Sequence, residues 1–332
     1  MSVSARYLFI LNPKSFWNKW KWDQVLSKIQ FFFEMAGDKN CALHVSRFPR
    51  DAIGFIHSHS RDLPEGTKLR VYAVGGDGIL FDCLNGIMGI EQAELGVIPY
   101  GHTNVFIQGF GKHGKAFFRD LKRQFDAPAI PMDVMRYGNN YAISSCIVGT
   151  GAAALHNFSR MREKLSKGRV ITQYVNRQLY TPLYYLGGLS ACSDKNLLSR
   201  KYTVDIDGEV FSDVYRNIAV FNAAYCSNGL RPVSNAAPND GAMNVIFAAR
   251  NRGILWTYFT LPFYVTGRSG LFPNDFISRS CRKISVKSDE TLVISLDGEI
   301  FFDSQLSVEL LPAAVRFLDA SGHGYNGRMR NL

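Results

Sequence analysis

Three stretches of the sequence combine glycine, hydroxyl and amide residues in a way that suits phosphate binding. They are residues 12–15 (Asn-Pro-Lys-Ser), 75–78 (Gly-Gly-Asp-Gly) and 99–104 (Pro-Tyr-Gly-His-Thr-Asn). Glycine lets the backbone approach phosphate oxygens closely, and the first N–H groups of a following helix attract the anion. Asn12, Ser15, Thr103 and Asn104 add side-chain donors, and Lys14 adds a charge. One such loop can be an ordinary turn, but three together indicate a phosphate site.

The acid inside the second loop favours a metal-bound nucleotide. Asp77 would repel a phosphate unless a cation lies between the two groups. Magnesium carried by a nucleotide is the usual cation in such a loop. The sequence does not contain the Walker A pattern, so that nucleotide loop is excluded.

The elements around these loops predict a parallel α/β sheet in the first part of the chain. Short apolar runs predict strands, and each of the three loops directly follows one of them. Two longer stretches have the apolar spacing of a helix. The strands are expected at Tyr7–Leu11, Ala42–Ser46, Leu69–Val74 and Leu95–Ile98, and the helices at Trp20–Ala36 and Ile79–Ile90.

The pattern changes after about Pro131, where runs with an alternating pattern are separated by Asp-Gly, Asn-Gly and Ser-Asp turns. This predicts a mostly antiparallel β-sandwich interrupted by helices near His156–Ser166 and Gly253–Val265. We therefore expect an α/β nucleotide-binding domain at 1–131, a β-rich substrate domain at 132–311 and a tail at 312–332 that returns to the first domain. The second-domain strands are expected at Tyr141–Val148, Tyr202–Ile206, Ile218–Phe221, Met243–Phe247, Ile284–Lys287, Thr291–Leu296 and Ser307–Leu311.

Composition narrows the class of protein. The 332 residues are 46% hydrophobic and 20% charged, which excludes a disordered, collagen-like or coiled-coil chain. The net charge of +10 favours an anionic partner: nucleotide, nucleic acid or acidic membrane. Six widely spaced cysteines fit free thiols in the cytoplasm. No apolar run reaches the length of about 20 residues that a membrane helix needs.

The order of these motifs resembles the diacylglycerol-kinase-like lipid kinases, with the soluble bacterial lipid kinases most similar. The resemblance covers about residues 5–312, and the Gly-Gly-Asp-Gly loop alone is shared with NAD kinases and phosphofructokinases. The motifs that carry it are Asn12-Pro13-Lys14-Ser15, Gly75-Gly76-Asp77-Gly78, Gly96-x-Ile98-Pro99-x-Gly101-x-Thr103-Asn104, Asp133, Asp240-Gly241 and Asp297-Gly298-Glu299.

The resemblance implies transfer of phosphate from ATP, with Mg²⁺, to the hydroxyl of a lipid such as diacylglycerol. It implies a nucleotide cleft between the two domains. Asn12 and the loop of Gly75, Gly76, Asp77 and Gly78 would hold phosphates, while Lys14, Ser15, Gly101, Thr103 and Asn104 would complete the nucleotide site. The same resemblance makes Asp77, Asp133 and Asp240 the magnesium ligands and Asp297, with Glu299 beside it, the general base.

Three positions depart from the family pattern. The family has Thr where this chain has Ile79, and its usual Gly-Thr-x-Asn-Asp loop reads Gly101-His102-Thr103-Asn104-Val105 here. Two alternatives therefore stand beside the lipid kinase: a lipid- or nucleotide-binding protein of the same fold with weak or no activity, and a soluble-substrate kinase of the NAD-kinase type.

Two further features leave alternatives open. Asp297-Gly298 is either a catalytic position or a hairpin turn, because Asp207-Gly208 repeats the same dipeptide after another β-rich run. Basic residues cluster in Arg160–Arg177 and Arg250–Lys287, the second with aromatic residues interleaved. We expect an anionic membrane surface as their partner and peripheral attachment of the protein. No nucleic-acid motif accompanies them, so we expect no nucleic acid, and a homodimer stays open.

Overall fold

A computed structural model of the protein describes residues 5–16, 19–37, 40–165, 179–249 and 253–327. By its internal contacts the chain divides into two compact units. Unit 1 comprises Met1–Val134 together with Pro312–Leu332, and unit 2 comprises Met135–Leu311. The C-terminal segment therefore belongs with the N-terminal residues.

Unit 1 alternates strands and helices, as the sequence predicts. In chain order its elements are β1 (Ala5–Leu11), α1 (Lys19–Ala36), β2 (Cys41–Val45), α2 (Asp51–Ser60), β3 (Lys68–Gly75), α3 (Asp77–Ile87), β4 (Ala93–Pro99), α4 (Gly114–Arg119), α5 (Leu121–Asp126) and β5 (Ala129–Tyr137), the last of which continues into unit 2. The predicted positions of β1 to β4, α1 and α3 are confirmed to within three residues.

The first four strands form a parallel sheet in the order β2-β1-β3-β4. Strands covered by helices on both faces are apolar at consecutive positions rather than alternate ones. The centre of β1 follows this rule, because Leu8, Phe9 and Ile10 are all fully buried. The predicted parallel α/β sheet is confirmed, and it places the ends of β1, β3 and β4 at one edge.

Unit 2 is built mainly from antiparallel strands, which confirms the second part of the predicted fold class. Its elements are β6 (Asn140–Ala142), β7 (Ser145–Gly149), α6 (Thr150–Leu165), α7 (Tyr180–Cys192), α8 (Lys195–Leu198), β8 (Lys201–Ile206), β9 (Glu209–Phe221), β10 (Met243–Ala249), α9 (Ile254–Val265), β11 (Phe276–Cys281), β12 (Lys283–Leu296) and β13 (Glu299–Leu318). The long strands β9 and β12 each pair with β7 and with β8, and every one of these pairs is antiparallel.

The last part of β13 belongs to unit 1. Arg316 and Phe317 pair in parallel with Glu94 and Leu95 of β4. Beyond the strand, Tyr325 is fully buried and packs so closely that a Cβ at Gly109 would lie 2.0 Å from its ring. Only glycine fits at position 109, and the contact secures the C-terminal segment within unit 1.

Strand boundaries in unit 2 differ from the sequence expectations in several places. The predicted strands Ile218–Phe221 and Ser307–Leu311 are parts of the longer strands β9 and β13, and β11 was not predicted. The predicted strand Tyr141–Val148 is broken between β6 and β7, because Ile143 and Ser144 direct their N–H groups to a side chain, Asp297. The predicted strands Ile284–Lys287 and Thr291–Leu296 are one strand, β12, with a register shift between Lys287 and Leu292. Of the helices in the described ranges, none combines the length and the apolarity needed to cross a membrane.

Candidate functional site

The three predicted phosphate loops meet at the carboxyl edge of the parallel sheet in unit 1. The carbonyl oxygen of Gly75 accepts hydrogen bonds from the N–H groups of Tyr100 at 2.9 Å and Gly101 at 2.8 Å. The N–H of Asn12 donates to Val74 at 3.1 Å. The backbone at the end of β3 therefore contacts the loops that follow both neighbouring strands.

Glycine is required where these loops touch. A Cβ at Gly101 would lie 2.3 Å from the Cα of Gly76, and a Cβ at Gly75 would lie 2.8 Å from the hydroxyl oxygen of Ser15. Gly75 also has φ of +156°, which L-residues rarely adopt. These contacts leave backbone rather than side chains at the mouth of the loops, where N–H groups are able to face a phosphate.

Asp77 is the first residue of α3 and connects the second loop to the third. Its carboxylate accepts the hydroxyl of Thr103 at 2.8 Å and the N–H of Val105 at 2.7 Å. Burial raises the pKa of the Asp77 carboxyl above 3.8, although these donors act in the opposite direction. The site therefore holds a carboxylate whose charge is incompletely compensated, which is the electrostatic condition that favours a cation.

Two of the predicted side chains shape their loops. Asn104 is 2% exposed, has φ of +47° and donates from Nδ2 to the carbonyl of Gly101 at 2.8 Å. Asn12 accepts the N–H of Lys14 through Oδ1 at 3.0 Å. Asparagine tolerates the left-handed conformation and bonds its own loop readily, so both residues fix backbone geometry here. Lys14 and Gly78 are exposed at the same edge.

The sequence analysis missed two cations beside Asp77. Lys115 and Arg119 lie one turn apart on α4, and Lys115 interacts electrostatically with Asp77. Burial and the charge of Arg119 lower the pKa of Lys115 below 10.5. Arg119 donates from Nε to the carbonyl of Pro99 at 2.7 Å and stacks over the ring of Tyr100 at 5.0 Å. The signal in the sequence was their spacing of four residues, which places them on one helix face.

His102 does not add a positive charge to this group at neutral pH. Burial and the charge of Lys115 lower the pKa of its imidazole below 6.5. The cations available to a phosphate at this edge therefore include Lys115 and Arg119, with Lys14 exposed nearby in the first loop.

The two apolar departures from the family pattern are buried. Ile79 is 2% exposed, and its Cγ2 would lie 2.9 Å from a Cβ at Gly75. Val105 is 8% exposed and contacts Asp77 through its backbone N–H. Both side chains pack within unit 1, and neither supplies an oxygen to a metal or phosphate.

Asp133 lies on β5 in unit 1. It is 4% exposed, and its Oδ1 accepts the N–H of Ala313 at 2.8 Å. Ala313 has φ of +52°, an unusual conformation for a residue with a Cβ. The carboxylate therefore holds the backbone where the chain re-enters unit 1, and a magnesium role for Asp133 stays a prediction.

In unit 2, Asp297 occupies a two-residue hairpin turn between β12 and β13. Its carboxylate accepts three backbone N–H groups at 2.7, 2.9 and 2.8 Å, from Ile143, Ser144 and Ser145. Asp207 repeats the turn, with φ of +49° at both aspartates and +95° at the glycine after each. Its carboxylate likewise accepts backbone N–H groups, from Arg282 and Lys283. The hairpin interpretation and the catalytic one are thus compatible, since the turn fixes the carboxylate in place.

The remaining predicted residues of unit 2 are Asp240, in a loop, and Glu299, at the start of a strand. Asp240 accepts the N–H of Ala242 at 3.2 Å and is partly exposed, and Glu299 is the exposed first residue of β13. Within the described ranges, no group of three or more His, Cys, Asp or Glu side chains is placed to hold a metal ion.

Comparison with known proteins identifies both parts of the chain. Residues 6–137 match the family described as the diacylglycerol kinase catalytic domain. Residues 169–319 match the YegS C-terminal NAD kinase beta sandwich-like domain. A protein of Staphylococcus aureus (strain MRSA252) named as a putative lipid kinase is 24% identical over 293 residues, which are 84% of this chain and 87% of that protein.

Solved structures agree with the fold. The crystal structure of a putative diacylglycerol kinase from Bacillus anthracis str. Sterne has a TM-score of 0.69 and 20% sequence identity, and the match covers 95% of this chain and 96% of that one. A second structure of a putative diacylglycerol kinase from the same strain also has a TM-score of 0.69, at 19% identity. The chain therefore carries, in this order, a match to the diacylglycerol kinase catalytic domain and a match to the YegS C-terminal sandwich-like domain.

Proposed function

We propose that the protein transfers the terminal phosphoryl group of ATP to a hydroxyl group of a lipid, with diacylglycerol or a related lipid as acceptor. The observation that carries the proposal is the meeting of three glycine- and amide-rich loops around Asp77, with Lys115 and Arg119 alongside. Phosphoryl transfer needs positioning and charge neutralisation more than covalent chemistry, and this edge supplies both.

The loops are proposed to hold the phosphates of the nucleotide. The close contact of Gly76 with Gly101 exposes backbone, and α3 directs its first N–H groups to the same edge. The positive charges of Lys115 and Arg119 would balance part of the phosphate charge. Asn12 and Asn104 keep the loops in shape, so the site is preformed before a nucleotide enters.

Asp77 is suited to bind magnesium because its partly buried carboxylate lies in a phosphate-type loop. Bound Mg²⁺ would neutralise charge on the phosphates and fix their orientation. We propose Asp133 as a further member of the magnesium-centred network and Asp240 as part of a structural-magnesium loop. Their own contacts, with the Ala313 and Ala242 N–H groups, hold each carboxylate in one orientation.

Asp297 is proposed as the group that accepts the proton of the lipid hydroxyl, with Glu299 beside it. A general base must be held within hydrogen-bond reach of the proton that it accepts. The three N–H donors from Ile143, Ser144 and Ser145 orient the Asp297 carboxylate. This fixed orientation supports the assignment. Asp207, which occupies the same kind of turn, is the control residue for substitutions of Asp297.

A weakly active or inactive protein of the same fold is the second candidate. The observation in its favour is that buried Ile79 and Val105 stand where the family has a hydroxyl and a carboxylate. In that case the chain would bind nucleotide or lipid without transferring phosphate at a useful rate.

The proposed attachment to an anionic membrane lies partly outside the described residues. Of the basic stretch Arg160–Arg177, the structure describes residues 160–165, where Arg160, Arg162 and Lys164 are exposed. Of Arg250–Lys287 it describes all but residues 250–252. Exposed cations favour anionic headgroups by about 1 kcal/mol each when they lie near the surface.

The test is transfer of radiolabelled phosphate from ATP to a panel of lipids, with NAD as the soluble acceptor. Label on a lipid that depends on Mg²⁺ supports the proposal, while label on NAD favours a soluble-substrate kinase. Thermal stabilisation by Mg-ATP without label on any acceptor favours the inactive alternative, since a ligand that binds the native state stabilises it. Absence of both effects contradicts the nucleotide site itself.

A further inference from the structure

Helix α9 packs apolar side chains such as Tyr264 against the protein and also exposes large apolar side chains. Its 12 residues, Ile254–Val265, include no charged side chain. Thr260 is 1% exposed, and Thr257 contacts the guanidinium of Arg216 on the protein side. Leu255, by contrast, is 84% exposed. A helix on a water-exposed surface normally buries its apolar side chains and exposes its polar ones.

The outward side chains form one continuous stripe. Leu255, Tyr258 and Phe259 are 84%, 41% and 54% exposed and occupy positions i, i+3 and i+4, which lie on one helix face. Leu261 at 36% borders the stripe, and Leu271, just after the helix, is 65% exposed. We call these five residues the α9 stripe. Scattered apolar residues are normal on a surface, whereas a contiguous group marks an interaction site.

The charges around the α9 stripe are positive. From Gly253 to Asn274 the sequence contains Arg268 and no Asp, Glu or Lys. Arg268 is exposed, and its N–H donates to the carbonyl of Phe263 at the end of α9. Arg231, partly exposed, donates its N–H to Val265. The nearest acid in sequence, Asp275, is 3% exposed and accepts the indole N–H of Trp256.

We propose that the α9 stripe inserts into a lipid bilayer that contains anionic lipids, with Arg231 and Arg268 at the level of the headgroups. Exposed leucine and aromatic side chains next to basic residues combine burial of apolar area with attraction to anionic lipids, which are the two contributions to binding at a membrane surface. Arg231 and Arg268 complement anionic headgroups, and residues 253–274 contain no acid that would attract a basic protein partner. This inference rests on the proposed function. A lipid acceptor with acyl chains lies in a bilayer, so the enzyme must bind the bilayer surface to reach it.

Vesicle sedimentation without ATP tests this docking independently of catalysis. The wild-type protein should sediment with vesicles of phosphatidylcholine mixed with phosphatidylglycerol, and high salt should weaken the binding only in part. Leu255→Asp combined with Phe259→Asp should lower the bound fraction about tenfold or more, because two apolar side chains can no longer enter the bilayer. Leu255 is 84% exposed, whereas Phe259 also contacts the rings of Trp256, Phe263 and Phe272. Binding is therefore compared at a temperature at which circular dichroism shows both proteins to be folded.

Phe302→Asp and Val210→Asp are matched controls in the same unit, since these side chains are 59% and 64% exposed. They should leave vesicle binding unchanged. Equal binding by the double variant and the wild type, or equal losses in the controls, would overturn the proposal. So would a wild-type dimer that the double variant converts to a monomer in light scattering, because the stripe would then be covered by a second copy.

Turnover separates this inference from the proposed function. Phosphorylation of a dispersed short-chain acceptor should survive the double substitution, while phosphorylation of the same headgroup in vesicles should fall with binding. Vesicle binding by a wild-type protein that phosphorylates no lipid would contradict the kinase proposal and leave the docking surface in place.

Discussion

The carboxylate of Asp77 and the hydroxyl of Thr103 are joined by a hydrogen bond of 2.8 Å, which ties the first turn of α3 to the loop that follows β4. Asp77 thereby has two roles that oppose each other. As an acceptor it holds the third loop closed, and as a buried charge it makes the empty site less favourable. A metal ion bound to a phosphate would be attracted by the negative charge of Asp77 and would leave its hydrogen bond to Thr103 in place.

The affinity for magnesium should change with pH as the carboxyl group of Asp77 ionises. Because burial raises the pKa of this carboxyl above 3.8, the folded protein retains the proton to a higher pH than the unfolded chain does. This group therefore stabilises the fold at low pH, and that contribution is lost as pH rises through the raised pKa. Magnesium needs the ionised form, so its affinity should increase over the same interval.

Asp77→Asn should remove both effects. We expect the variant to show a smaller decline in the free energy of unfolding above pH 3.8 and no rise of Mg-ATP affinity in that interval. Urea unfolding and nucleotide titration across the pH range measure the two quantities. A variant with the wild-type pH profile of Mg-ATP binding would show that another group holds the metal.

Lys115 and Arg119 should contribute to nucleotide binding. Lys115→Ala and Arg119→Ala are each expected to lower kcat/KM for ATP by about 10–100-fold, the usual effect of losing one charge-assisted hydrogen bond. Lys112→Ala, at an exposed position two residues before α4, is the control and should behave as wild type. If all three variants show the same kcat/KM, the cations of α4 are not part of the phosphate site.

The phosphate loops were predictable because they depend on local sequence. Apolar runs predict β1, β3 and β4. Because these strands are parallel, the loops that follow them lie at one edge of the sheet, and this does not depend on the rest of the fold. Lys115 and Arg119 were not predictable in the same way, because α4 has only six residues. Their place beside Asp77 depends on tertiary contacts such as the bond from Arg119 to Pro99.

Unit 2 shows a different limit of prediction from sequence. Residues Ile143 and Ser144 have the apolar or small side chains of a strand, yet their N–H groups bond a carboxylate 153 or more positions away. The polarity of α9 was equally hidden, since composition shows that the helix is apolar but not which face the protein covers. Both features arise from long-range packing, which hydrophobic periodicity does not encode.

Restoring the family carboxylate at position 105 should make stability depend on magnesium. Val105 is 8% exposed and its N–H lies 2.7 Å from a carboxylate oxygen of Asp77. Val105→Asp therefore places a second acid beside the first and should lower the free energy of unfolding by about 1–3 kcal/mol without Mg²⁺. Added Mg²⁺ should recover part of this loss.

Val105→Asn is the matched control, since it has the shape of aspartate without the charge. It should be destabilised less than the aspartate variant, because it adds no second charge beside Asp77, and adding Mg²⁺ should recover none of the loss. Combining Val105→Asp with Ile79→Thr should also raise kcat if the family's oxygen ligands act here. Identical magnesium responses of the Asp and Asn variants would mean that residue 105 lies outside the metal site.

Asp207 and Asp297 offer a direct test of the general base, because the chain contains the same turn twice. Both aspartates have φ of +49° and both accept backbone N–H groups from a neighbouring segment. Asp207→Asn and Asp297→Asn should each lower the free energy of unfolding by about 1–3 kcal/mol, since one acceptor becomes a donor facing N–H groups. Only Asp297→Asn should lower kcat, by about 10²–10⁴-fold.

The comparison of the two variants separates structure from chemistry. Urea unfolding measures the loss of stability that both variants should show. Phosphate transfer to a lipid at saturating ATP measures the loss of kcat that only Asp297→Asn should show. The remaining activity of Asp297→Asn should rise with pH, because hydroxide partly replaces a missing proton acceptor. Parallel losses of kcat in both variants, in proportion to their losses of stability, would make Asp297 a turn residue and require another group to accept the proton.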